Sequence, residues 1–101
     1  MAEIPIVCTL SPAALRAWRD GLLADVFRRA EHYELTDDGL RMRFSARTDI
    51  VAALAHMVDA ERQCCRFLRF VITVESDEGP VWLELSGPAG TRDFIAALLD
   101  L

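Results

Sequence analysis

Apolar and polar positions along the chain change period several times, and each change marks an element. Ile4, Ile6, Cys8 and Leu10 alternate with Pro5, Val7 and Thr9, which is the two-residue period of a strand with Cys8 near its C-terminal end. Ser11-Pro12 then supplies an N-cap and a first helical residue. Leu15, Trp18, Leu22 and Val26 recur at helical spacing on a face expected to end near Ala30. Tyr33-Glu34-Leu35-Thr36 and Leu40-Arg41-Met42-Arg43-Phe44 flank Asp37-Asp38-Gly39, a hairpin in which the Asp-Gly pair is expected to provide the positive φ of the turn. The second limb alternates, with Leu40, Met42 and Phe44 inward and Arg41 and Arg43 outward.

Thr48 or Asp49 is placed to cap a second helix that carries Ile50, Leu54, Met57 and Val58 on one face and runs to about Cys65 or Arg66. Leu68 through Glu75 is β-branched and aromatic, Asp77-Glu78-Gly79-Pro80 turns the chain, and Val81-Trp82-Leu83-Glu84-Leu85 alternates as a second hairpin limb. Gly87-Pro88 opens a last helix with Phe94, Ile95, Leu98 and Leu99 on its apolar side. The order βαββαββα predicts one α+β domain over residues 1–101. Its simplest form is a ferredoxin-like sandwich, with a mostly antiparallel sheet and the helices on one face. In that fold the first strand lies centrally, beside the fourth and antiparallel to it, so Cys8 and the pair Cys64-Cys65 converge at one corner.

Composition narrows the function classes. A chain of 101 residues with 52% hydrophobic positions builds a core without disulfides, so its three cysteines are available for chemistry. The net charge of −5 opposes nucleic acid and anionic lipid as partners. No apolar run has the length of a membrane span and the N-terminus lacks a signal-peptide pattern, so the expected location is the cytoplasm, where thiols stay reduced. That every basic residue is arginine is read as a trait of GC-rich coding and carries little functional weight.

The most pointed candidate chemistry lies around Cys64-Cys65. At about 100° per residue, Glu61 falls in the same helical arc as Ile50, Leu54, Met57, Val58 and Leu68, so a carboxylate is aimed at the core. Three readings are open for it: an ion pair with an arginine such as Arg43, Arg62 or Arg66 or a hydrogen bond to a strand's backbone, a proton-transferring role at a thiol site, or exposure at the helix end. Adjacent helical cysteines diverge, so they need a third group to share one target, and Cys8 supplies it. Two or three thiolates suit soft ions, Hg(II), As(III) or Cu(I), better than Zn(II), whose usual paired-cysteine spacing is absent. His32 and His56 sit at no ligand spacing from the cysteines and are expected on the surface.

Cys8-Thr9-Leu10, the segment from Glu61 to Phe70 with its Glu-x-x-Cys-Cys-x-Phe-Leu-x-Phe pattern, and the glycine-rich Trp82–Gly90 stretch together resemble a group of small, largely uncharacterised bacterial proteins of about this length. The resemblance covers most of the chain. It implies association with mercury and arsenic resistance functions and, for some relatives, fusion to metal-responsive regulators. It also implies that Cys8, Cys64, Cys65 and Glu61 form one site. Arg66 departs from that pattern, where a proline follows the cysteine pair. The residue set is similar as well to that of organomercurial lyases, which capture mercury on thiolates and protonate the departing carbon; fold and length differ.

The expected function is thus thiol-based binding of a soft metal or metalloid ion by Cys8, Cys64 and Cys65 with Glu61 adjacent. One alternative is a cysteine-dependent enzyme with Glu61 as its acid or base, acting on organometals or in thiol redox chemistry. The other is a structural or dimerisation domain whose cysteines only pack, joined through an outward patch at Val71 and Trp82 into a homodimer.

Overall fold

The computed structural model describes residues 24–47 and 49–99, and the side chains of Ala24, Cys64 and Leu98 lie outside that description. The described elements are α1 (Ala24–Arg29), β1 (His32–Thr36), β2 (Gly39–Phe44), α2 (Ile50–Cys64), β3 (Arg69–Val74), β4 (Val81–Ser86) and α3 (Thr91–Leu99). They form an α+β structure with an open four-stranded sheet in the order β1-β2-β4-β3, every pairing antiparallel. From the first helix onward the element order agrees with that read from periodicity. The strand expected over residues 4–10, the helix start at Ser11-Pro12 and the cap at Thr48 lie outside the described residues.

Period two decides which side of the sheet is covered. Leu40, Met42 and Phe44 of β2 and Val81, Leu83 and Leu85 of β4 are buried, as are Val26 of α1, Ile50, Leu54 and Met57 of α2 and Ile95 of α3. These residues belong to one core cluster, so the helices cover the inward face of the sheet. The other face bears Arg41, Arg43, Trp82 and Glu84, in cross-strand register as Arg41↔Glu84 and Arg43↔Trp82. Toward β3 the cover thins: on its inward row Phe70 and Ile72 are half-buried and Val74 is 60% exposed. No described helix is long and apolar enough to cross a membrane.

Three local details differ from the sequence reading. The turn between β1 and β2 contains no positive φ; that geometry occurs instead at Asp77 (59°) and Glu78 (57°) between β3 and β4, where Gly79 N–H donates to Ser76 O at 3.1 Å. Gly39 serves a different purpose: a Cβ there would overlap the backbone carbonyl of Leu85 on β4, so the close approach of the two strands excludes any side chain.

Asp49 occupies the N-cap of α2, but its side chain makes no capping bond. Its carboxylate accepts from Arg29 Nη1 at 3.0 Å, tying the end of α1 to the start of α2. The last helix begins at Thr91, later than Gly87-Pro88. Gly90 holds φ at 97°, outside the helical region, and Thr91, fully buried, donates its hydroxyl to Pro88 O at 2.6 Å.

Candidate functional site

Helix α2 delivers the candidate site at its C-terminal end. Its inward stripe runs through Ile50, Leu54 and Met57, all buried, and reaches Glu61, which is 1% exposed. The arc that places Leu54 and Met57 in the core places Glu61 there too, since 57 and 61 are one turn apart. The helix closes on Cys65, whose N–H donates to Glu61 O at 2.8 Å while its own backbone departs from helical geometry at φ −107°, ψ 74°. Leu68 N–H then donates to Cys65 O at 3.1 Å. The chain enters β3 through Phe67 and Leu68, both buried, with Phe67 packed edge-on against Phe94 of α3 at 5.1 Å between ring centres.

Glu61 has no arginine partner among the described residues. Arg43 pairs with Glu31 at 3.5 Å, Arg62 with Asp59 at 2.9 Å, and Arg66 is exposed. Its Oε2 is buried with no hydrogen-bond partner among the described residues. Removal from water without compensation disfavours the charged form, and burial pushes the carboxyl from its ordinary 4.5 up to about 8. Near neutral pH it therefore holds a proton, available to a neighbouring acceptor. The core-facing orientation expected from the helical arc is present, the exposed helix end is not, and no ion pair forms with an arginine among the described residues.

Of the thiols, Cys65 is wholly buried within the core cluster. Cys8 and the side chain of Cys64 lie outside the described residues, as does the expected proximity of Cys8 to the cysteine pair. Among the described residues no group of three or more His, Cys, Asp or Glu side chains could hold a metal ion. His32, at the start of β1, and His56, on α2, are both exposed.

The outward face of the sheet is the other concentration of chemistry. The Arg41 guanidinium lies 4.1 Å above the centre of the Trp82 ring, with that of Arg43 at 5.9 Å. Arg41 also meets Glu34 at 3.8 Å and Glu84 at 3.5 Å. Sequence reasoning had these residues outward but missed the stacking, which the register Arg43↔Trp82 beside Arg41↔Glu84 brings about by placing both arginines next to the ring. The charges on this face largely answer one another, and Trp82 is half-buried. Comparison of the chain with family models, with curated proteins and with solved structures finds no match.

Proposed function

We propose that the chain binds a soft metal or metalloid ion, Hg(II), As(III) or Cu(I), through Cys8, Cys64 and Cys65 with Glu61 beside them, as a cytoplasmic sensor module, buffer or chaperone. The observation that carries this reading is the buried Glu61 carboxyl, without a hydrogen-bond partner at Oε2 among the described residues, on the turn that leads directly into Cys65. A carboxyl in such a place is costly to the fold, and a function at the adjacent thiols accounts for its presence. The proposal requires Cys8 or the Cys64 thiol to complete a ligand set. It therefore includes the ferredoxin-like placement of a first strand, residues 4–10, beside β3, whose outer edge has no partner among the described residues. The resemblance to small proteins of mercury and arsenic resistance points the same way.

Native mass spectrometry of the reduced protein with Hg(II), arsenite, Cu(I) or Zn(II) is the direct test, since it reads stoichiometry and assembly together. Cys8→Ser is expected to weaken Hg(II) and Cu(I) retention against a competing chelator by at least about 10²-fold, because thiolate is the preferred donor for these ions. His32→Ala and His56→Ala leave retention unchanged. Equal retention by Cys8→Ser would move the site elsewhere.

A second reading, acid catalysis on an organometal, is favoured by one observation: the Glu61 carboxyl is buried with no hydrogen-bond partner at Oε2 among the described residues, and desolvation pushes its pKa up so that it favours the protonated form. In it, a thiolate holds the mercury of an organomercurial and Glu61 gives its proton to the departing carbon, so the carbon–mercury bond breaks as a carbon–hydrogen bond forms. Glu61→Gln should then retain Hg(II) and slow hydrocarbon release by about 10²-fold or more. Release by the parent no faster than by low-molecular-weight thiol alone would exclude this reading and leave the binder.

A further inference from the structure

Cys65 is 0% exposed, and past the exposed Arg66 the chain is enclosed again on its way into β3, with Phe67 at 5% and Leu68 at 9%. A close-packed interior admits no ion or reagent to such a thiol unless protein atoms move. The corner has physical reasons to open before the rest of the fold. Its backbone turns out of the helix there: Cys65 N–H donates to Glu61 O and Leu68 N–H to Cys65 O, and the helix end is closed at Cys65 by a residue outside both helical and left-handed geometry. The Glu61 carboxyl is desolvated there with Oε2 unanswered among the described residues, and opening returns it to water.

We infer that the α2–β3 corner, residues 61–68, opens as a unit short of global unfolding, and that the buried Glu61 carboxyl sets how often Cys65 becomes accessible. The inference deepens the soft-ion proposal by giving its site a gate. It rests on that proposal for its biological meaning, whereas the opening itself requires no metal. Loading would proceed through the open state, and closure over the bound thiol would slow release. Glu61 acts here as a positioning residue, through the balance between closed and open corner.

The test is metal-free. Full-length reduced protein carrying Cys8→Ser and Cys64→Ser leaves Cys65 as its single thiol, and its reaction with N-ethylmaleimide is followed at pH 7 in rising urea below the unfolding transition. The expected rate is at least about 10²-fold below that of the urea-unfolded chain, with a urea slope shallower than that of global unfolding. Adding Glu61→Met, which replaces the carboxyl by an apolar group of similar length, is expected to slow labelling a further tenfold or so. A rate equal to that of the unfolded chain, a slope equal to the global one, or no effect of Glu61→Met would each overturn the inference. Hydrogen exchange on the unmodified protein provides a readout independent of the variants' folding. The Cys65 and Leu68 amides should exchange faster than those of Met42 and Leu83, and equal protection would overturn the inference as well. Failure to bind Hg(II) would leave all these rates untouched, so the two proposals fail separately.

Discussion

Glu61 ties stability to pH in a direction opposite to that of most carboxylates. Its folded pKa of about 8 lies above the ordinary 4.5, so the folded state binds the proton more tightly than the unfolded chain does. The stabilisation is complete below about pH 4.5 and is lost as pH rises through about 8. Within that window stability declines steadily as pH rises. Glu61→Gln removes the titrating group while keeping its shape. Urea unfolding at several pH values should therefore show a shallower decline for the variant and a higher midpoint than the parent above pH 8; superimposable curves would place the charged form comfortably in the fold. The inward position of Glu61 was legible in sequence because a helix repeats its face regardless of what occupies it. That no described arginine would meet it was not legible, since Arg43 and Arg62 are committed to Glu31 and Asp59 by a register and a helix face that composition does not specify.

At the scale of elements, the hairpin between β3 and β4 carries unrelieved backbone cost. Asp77 and Glu78 both sit in the left-handed region, where a Cβ crowds the following carbonyl and where Asn-Gly is the preferred pair. Replacing them as Asp77→Asn with Glu78→Gly is expected to add about 1–2 kcal/mol of stability. For a domain of this size that is a rise in Tm of several degrees, read by thermal unfolding. Alternation located β2 and β4, and β-branched content and turn punctuation located β3 and β1, each within a residue or so of its ends, because alternation reports directly on which face is covered. Turn geometry escaped it: Asp-Gly at 38 and 39 suggested positive φ, whereas Gly39 answers the approach of Leu85, a contact between segments far apart in the chain. The start of α3 was misplaced for a related reason, since the backbone of Gly90 delays a helix that Pro88 could have begun.

For the whole molecule, the α+β class and the one-sided core followed from the order of periods, while the meeting place of the cysteines depends on the first strand and on side chains outside the described residues. The sheet order itself has a kinetic consequence. β1 with β2 and β3 with β4 are local hairpins, which close on the microsecond scale. The pairing that makes one sheet of them joins β2 to β4, across the whole of α2 and β3. Among the described pairings, loop closure makes that seam the slowest to form. Met42→Ala and Leu83→Ala, which face each other across it, should slow refolding in a chevron measurement. The Asp77-Glu78 turn substitutions should instead act chiefly on the unfolding limb, and a refolding rate that follows the turn would put the nucleus in the second hairpin. A seam of this kind divides the chain into two halves that form their own turns early and wait for each other, so the lifetime of unpaired β2 and β4 edges sets how long the nascent protein is open to wrong strand partners.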